Sequence, residues 1–210
     1  FNRMHDPEGY AELAHRSHLS SEDEARLDDL RKQRRLETCR MDMILEGADP
    51  HAPITTEVRS TDFTNYYLSG VEALDVHSFS KVIYHGIYPG IDWEVSTTDR
   101  GFEQDFIVHP GGDPSSIRMR FKGHEELYVD GQGQLIHGNR LGRFVEAGPA
   151  SFQGAAVVHT SFDLRDDLLT FDISGYDETR ALRIDPTREW GTYYGGGADD
   201  WLKDMATDND

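Results

Sequence analysis

The chain has 210 residues, 37 % of them hydrophobic, which suffices for one well-buried domain or two small ones. Its 39 Asp and Glu against 21 Lys and Arg leave a net charge of −18, so a polyanion is repelled, and nucleic acid and anionic membrane are poor partners. The lone cysteine, Cys39, excludes an internal disulfide and any cysteine-built zinc site within the chain.

No run approaches the ~20 apolar residues of a membrane-spanning helix. The chain opens at Phe1 with no signal-peptide pattern, so its N-terminus does not decide localisation. Residues 1–19 have no clean period. From Ser20 to Thr38 the pattern is helical: Ser21 with Glu24 gives a capping-box signal, Glu22, Asp23 and Glu24 fill the first turn, and Arg31, Lys32, Arg34 and Arg35 the last. Ala25, Leu27, Leu30 and Leu36 make a thin apolar face, which predicts a surface helix.

From Met41 the period changes to two, with Met41, Met43 and Leu45 alternating with their neighbours before Gly47 and Asp49-Pro50. Further strands are expected at 64–68, 76–84, 91–96, 102–108, 117–121, 126–129, 134–136, 143–146, 157–164, 168–174 and 181–184. Pro89-Gly90 suits a type II turn and Asp130-Gly131 a hairpin. Many short strands between Gly, Pro and Asp turns predict an all-β fold, an antiparallel sandwich or barrel-like sheet with one surface helix near the N-terminus. The expected organisation is a peripheral segment over 1–60, a β-rich domain over 61–188, and a separate segment over 189–210.

Particular stretches carry a family resemblance: Asn65-Tyr66-Tyr67-Leu68, the run from Tyr84 through His85, Gly86, Pro89 and Gly90 to Asp92, and the run Glu103 to Ser115 containing His109-Pro110-Gly111-Gly112-Asp113-Pro114. Ile117 to Phe121, Gly175-Tyr176-Asp177, Leu182 to Pro186 and Thr192 to Gly196 continue it. Together they resemble the N-terminal domain that precedes seven-bladed β-propeller repeats of the SBBP class in large exported bacterial surface proteins. Many of those proteins carry PKD or immunoglobulin-like repeats and a C-terminal sorting signal associated with gliding motility and type IX secretion. The resemblance implies an extracellular or cell-surface location and a non-catalytic structural or adhesion role beside a propeller. Residues 189–210 then look like the opening of the first repeat, with Trp190, Tyr193, Tyr194 and Trp201 seeking cover. The charged helix at 20–38 has no counterpart in that resemblance.

The ten histidines are scattered, and only His15 and His18 share a helical spacing, without a carboxylate in register to complete a metal site. No His-Glu-x-x-His, Gly-x-Ser-x-Gly or phosphate loop occurs. Gly195-Gly196-Gly197 reads as a propeller-blade turn. Asp199, Asp200, Asp204, Asp208 and Asp210 read as a solvated tail, with an incomplete calcium loop as the alternative. Tyr66, Tyr67, Tyr84, Tyr88 and Trp93 fall at strand spacing and are expected in the core, with a sugar-binding platform as the alternative.

The sharpest expectation concerns the hairpin of 91–96 with 102–108. Placing Ile91, Trp93 and Val95 with Phe102 and Phe106 on one face pairs Ile91 with Phe106, Trp93 with Gln104 and Val95 with Phe102. Asp92 then faces Asp105 and Glu94 faces Glu103, four carboxylates that repel unless something intervenes. Arg118 and Arg120, on the polar side of the next strand, are expected to bridge them as an ionic ladder. The alternatives are a calcium ion on Asp92, Glu94, Glu103 and Asp105, or a carboxylate pair for glycoside cleavage. No motif requires a cofactor. The expected partners are neighbouring domains of the same polypeptide, then a cell-surface protein or polysaccharide, and the competing function is a secreted hydrolase or carbohydrate-binding accessory domain.

Overall fold

The computed structural model describes residues 2–67, 70–98 and 102–185, and the backbone alone of Leu68, Gly101 and 188–191. The chain divides into two compact units, and the described part of the first is residues 2–40 with Arg140–Gly142. Within it β1 (Asn2–His5) pairs antiparallel with β2 (Arg35–Thr38), and α1 (Tyr10–Ala14) and α2 (Ser21–Gln33) lie between them in the chain. The capping box is built one residue earlier than expected: the Asp23 N–H donates to Ser20 Oγ at 3.1 Å, and Asp23 Oδ2 accepts from the Ser20 N–H at 3.5 Å. Leu13 and Leu27 are the buried side chains of these helices.

The helix also ends sooner than expected. Arg34 is extended, its Nε bonded to Asp6 Oδ1 at 2.6 Å and its guanidinium 4.5 Å over the Tyr10 ring, so Leu36 joins a strand opposite Met4 instead of a last helical turn. The period-two reach of Arg35, Leu36 and Glu37 was hidden beneath a basic run that suits a helix C-terminus.

The second unit holds 41–139 and 143–191, so it begins at Met41 and takes in strands from the stretch expected to be peripheral. Its strands are β3 (Asp42–Leu45), β4 (Ile54–Leu68), β5 (Val71–Tyr88), β6 (Ile91–Thr98), β7 (Gly101–Val108), β8 (Met119–Lys122) and β9 (Glu126–Val129). They continue with β10 (Leu135–Asn139), β11 (Gly142–Glu146), β12 (Ala150–Gln153), β13 (Ala156–Arg165), β14 (Leu168–Ser174), β15 (Leu182–Asp185) and β16 (Arg188–Gly191). One ten-stranded antiparallel sheet runs in the order β3-β8-β14-β13-β12-β15-β7-β6-β5-β4, and a four-stranded one in the order β16-β11-β10-β9. The fold is all-β, as the turn-punctuated alternation predicted.

Alternation supplies the core. Ile91, Phe106, Ile117, Met119, Leu135, Leu169, Leu182 and Ile184 are sealed from solvent, with Trp93, Tyr84, Met43 and Leu45 packed around them. Each such side chain contributes about 1.5–3 kcal/mol by leaving water. β12 escaped the sequence reading because its buried face is polar: Ser151 and Gln153 are both buried. β4 and β5 are far longer than expected, since Glu57, Arg59 and Asp62 interrupt any apolar alternation.

The sheet's two edge strands, β3 and β4, are consecutive in the chain. The connection from Glu46 to Pro53 is strapped to β5, with the Asp49 N–H donating to Ile87 O and the His85 N–H to Pro53 O, each at 2.8 Å. The sheet therefore curls until its edges share this short strap, leaving a seam between β3 and β5. Gly90 and Gly112 lie back to back near one end: a Cβ on Gly112 would meet Gly90 O at 2.6 Å, and Gly90 itself has φ +72°. Pro89-Gly90 thus makes the expected turn, and the Gly-Gly run opposite it leaves room for that turn's backbone.

Candidate functional site

The β6–β7 hairpin keeps the predicted faces but not the predicted register. Ile91 pairs with Val108, Trp93 with Phe106, Val95 with Gln104 and Thr97 with Phe102, the ladder continuing to Thr98 and Gly101. The slip is two residues, so every side chain stays on its own side of the sheet while its partner changes. Phe106 opposite Trp93 brings the rings to 6.3 Å at 17°, which buries more apolar surface than the predicted Trp93–Gln104 pair, and the strands gain pairing towards the turn.

The slip dissolves the predicted carboxylate quartet. Asp92 faces Ile107 and Glu103 faces Ser96, leaving Glu94 and Asp105 as the only directly opposed acids of the four. Glu103 accepts from Thr98 Oγ1 at 2.9 Å instead. Arg118 and Arg120 are not beside them: β8 lies between β3 and β14, where Arg120 bonds to Glu46 and Asp167 and Arg118 Nη2 reaches Glu46 Oε2 at 3.4 Å. The Arg120 hydrogen bond holds the Glu46 carboxyl below its ordinary value, Arg118 adding to it.

Other cations complete the ladder. Lys81 Nζ on β5 lies 2.8 Å from Glu94 Oε2, and Arg183 on β15 grips Asp105 with two bonds, Nε to Oδ1 at 3.1 Å and Nη2 to Oδ2 at 2.6 Å. The order across four neighbouring strands, β5-β6-β7-β15, is positive, negative, negative, positive. Asp105 has a side chain only 6 % exposed, against 51 % for Arg183. Burial pushes the Asp105 carboxyl up, more than Arg183 pulls it down, with Asp185 and Glu94 adding to the rise. Lys81 is raised by its hydrogen bond to Glu94. Among the described residues no set of three or more His, Cys, Asp or Glu is arranged to hold a metal ion, and the slipped register separates the four carboxylates on which the calcium alternative depended. Both missed cations sat in view as outward members of period-two runs, Lys81 just before the Val82–Tyr84 alternation and Arg183 between Leu182 and Ile184.

Asp92 anchors a separate cluster. Its carboxylate accepts from the Gly86 N–H at 2.7 Å, lies 3.0 Å from His109 Nε2 and 3.3 Å from His85 Nδ1, and His85 Nε2 lies 2.7 Å from Thr55 Oγ1. Burial would raise the Asp92 carboxyl, but the Gly86 amide and the two imidazoles outweigh it and hold it low. Gly86, Gly90, Asp92, His109 and Gly112, all drawn from the stretches that carried the family resemblance, therefore build one junction of the β5–β6 turn with the end of β7.

A buried pair went unnoticed in the sequence: His137 Nε2 lies 3.0 Å from Glu146 Oε1, both nearly sealed from solvent, with the imidazole 5.1 Å from the rings of Phe121 and Phe144. His15 is bonded to Ala11 O at 2.8 Å and both His15 and His18 are exposed. The aromatics divide, with Tyr84, Tyr88 and Trp93 in or against the core while Tyr66 and Tyr67 stand exposed on β4. Trp93 has Tyr84 at 5.1 Å and Phe106 at 6.3 Å from its ring, and it packs against the core. The aromatics at 193, 194 and 201, the glycine run at 195–197 and the acidic residues from Asp199 onward lie outside the described residues, as does the side chain of Trp190.

Residues 3–187 match the profile of a domain of unknown function, DUF7948. The chain belongs to that family, the match covering most of its length. No curated protein and no solved structure matches it.

Proposed function

We propose that this DUF7948 member is a non-catalytic structural or adhesion module of an exported cell-surface protein, and that its β4–β5 hairpin caps or orients a neighbouring domain of the same polypeptide, a β-propeller by the motif resemblance. The observation that carries this reading is the outer half of that hairpin. β6 pairs with β5 only from Lys81 to Tyr88, so Val71 to Ser80 pair with β4 alone. On this arm Val58 and Tyr67 are each 72 % exposed, Phe63 57 % and Val71 58 %, an apolar load that a free two-stranded ribbon does not stabilise by itself.

The saturated ion ladder supports the structural side of the reading. Both Asp105 oxygens are occupied by Arg183, where a general acid needs a free proton-bearing oxygen. The hydrolase reading draws on one observation, the directly opposed Glu94 and Asp105 with Asp105 raised by burial. Hydrogen exchange on the full-length protein tests the proposal. Backbone amides of residues 71–79 should exchange at least tenfold more slowly there than in this domain alone; equal exchange refutes the capping role. Turnover of aryl glycosides that is lost in Glu94→Gln would favour the hydrolase.

A further inference from the structure

The β4–β5 arm has an irregular joint where it leaves the sheet. Arg59 pairs with Phe79 and Phe63 with His77, and the register shifts between the two pairs, so Ser60, Thr61 and Asp62 stand opposite Ser78 alone. Side chains replace the regular ladder here. Ser60 Oγ accepts from the Ser78 N–H at 3.1 Å and donates to Asp62 O at 2.7 Å, and His77 Nδ1 lies 2.9 Å from Ser60 O. On the other side of the same ring, His77 Nε2 lies 3.1 Å from Asp75 Oδ1. Asp75 has a left-handed backbone, φ +54°, and its N–H donates to Asn65 Oδ1 at 2.9 Å, next to a second shift of register between Thr64 and Tyr66. The imidazole therefore ties two irregular points of the arm together, and only 12 % of its side chain is exposed, with the Phe63 ring 6.1 Å away.

Both of its partners are acceptors. Ser60 O is a carbonyl and Asp75 Oδ1 a carboxylate oxygen, and neither has a proton to give. A neutral imidazole carries one N–H, so it serves one of them and turns a lone pair on the other, whereas the imidazolium carries two and serves both. His77 is alone in this among the described residues. The His85 ring meets the Asp92 carboxylate through Nδ1 and the Thr55 hydroxyl, which can donate, through Nε2, so its neutral form satisfies both. His137 meets Glu146 through Nε2 and has no partner at Nδ1, and His5, His15 and His109 each use one nitrogen. Around His77 the paired strands are β4 and β5, and the charged residues they bring are Glu57, Arg59, Asp62, Glu72, Asp75 and Lys81. Arg59 Nη2 lies 3.6 Å from Asp75 Oδ2, and Lys81 Nζ lies 3.7 Å from Glu57. Asp75 is thus the charged group against the ring itself.

We propose that His77 is a proton-controlled clasp on the arm: as the imidazolium it ties the Ser60 carbonyl to the Asp75 carboxylate, and on losing its proton it releases one of them. The stabilisation is present at the acid end of the histidine range and is lost as pH rises through it, between about pH 5 and 8. The outer arm then loosens. This regulation deepens the capping role and rests on that reading for its consequence, since an arm already ordered by protonation loses less freedom on docking.

The test is amide hydrogen exchange of residues 71–79 in this 210-residue chain at roughly pH 5.5 and pH 8, either side of the histidine range, each rate divided by that of an unstructured amide at the same pH. The core amides of Phe106, Leu182 and Ile184 serve as the reference. Losing one net hydrogen bond shifts an opening equilibrium by about twofold to tenfold, so arm protection should be about threefold or more higher at the lower pH. His77→Gln should remove the difference. Asp75→Asn is the sharper variant, because its side-chain amide supplies an N–H to the neutral ring: the arm should then remain as protected at the higher pH as the parent is at the lower. Equal protection of the parent arm at both pH values, a difference retained in His77→Gln, or an Asp75→Asn arm that still loosens at the higher pH overturns the clasp. Exchange in the full-length protein at the lower pH separates the two readings. If it equals that of the chain alone, the capping role falls and the clasp stands; if the chain alone shows no pH dependence, the clasp falls and the capping role stands.

Discussion

Removing the Arg183 guanidinium isolates a carboxylate that has almost no water of its own. Asp105 is 6 % exposed and takes both of its hydrogen bonds to a side chain from Arg183, so Arg183→Ala leaves a buried charge beside Glu94 and Asp185, both of which push it further from ionisation. Breaking a buried pair by deleting one partner costs about 3–5 kcal/mol. Arg183 is half exposed, and solvent screens what it contributes, which lowers the expectation to about 2–3 kcal/mol at pH 7. For a unit of this size each kcal/mol is worth about 2–4 °C in Tm, so thermal unfolding followed by circular dichroism should drop by about 4–12 °C. The pH dependence is the sharper readout. Asp105 has a folded-state pKa above its ordinary 3.8, so its contribution to stability is fullest below that value and is lost as pH rises through the raised folded-state pKa. Without Arg183 that pKa rises further, so the variant's deficit should shrink between pH 7 and pH 4 as the carboxyl takes a proton. Adding Asp105→Asn should recover about half of the loss at pH 7 and little at pH 4. A deficit equal at both pH values, or a double variant no more stable than Arg183→Ala, would refute the buried-charge account.

Phe106→Ala, which empties a site sealed between Trp93 and Phe171, should cost about 3–5 kcal/mol in urea unfolding with an unchanged m-value; a loss under 1 kcal/mol would mean the core packs elsewhere. Gly112→Ala should lower stability by about 1–3 kcal/mol, because the new methyl meets Gly90 O at 2.6 Å, whereas Gly131→Ala, with open space around it, should change it by less than about 0.5 kcal/mol. Asp92 is held below its ordinary 3.8 by the Gly86 amide and two imidazoles, so its stabilising effect is present above that value and lost as pH falls through its lower folded-state pKa; Asp92→Asn should therefore destabilise at pH 7 and show a flatter loss of stability on acidification below pH 4, and an unchanged acid limb would count against the cluster.

The fold class was legible because alternation and turn chemistry act locally. Ile91, Trp93 and Val95 declare a face, Pro89-Gly90 declares a turn, and neither depends on which strand lies alongside. Elements whose stability comes from elsewhere were not legible. β12 buries Ser151 and Gln153, β2 hides under a basic run, and the outer hairpin carries charges on a ribbon whose large apolar side chains Val58, Phe63, Tyr67 and Val71 stand mostly exposed. Register lies between these cases. Parity of the β6–β7 pair follows from the apolar residues, but a shift of two preserves parity, so the hydrophobic pattern cannot distinguish Trp93 opposite Gln104 from Trp93 opposite Phe106. The choice falls to aromatic packing against Phe171 and to how tightly the turn closes, which are properties of the folded sheet.

Charge partners inherit that ambiguity, which is why the predicted ladder had the right chemistry and the wrong cations. Once Glu94 is set opposite Asp105, the cations able to reach them must lie on the strands flanking the hairpin, and in sheet order those are β5 and β15, which supply Lys81 and Arg183. β8 follows β7 in the chain but stands six places from β6 in the sheet order, so Arg118 and Arg120 serve Glu46 and Asp167 instead. Chain order was the wrong guide because this sheet is not a simple meander. The connection that returns β15 to the side of β7 delivers Arg183, and the curling of the same sheet brings β3 and β4 to the two ends of the strap that is bonded to β5.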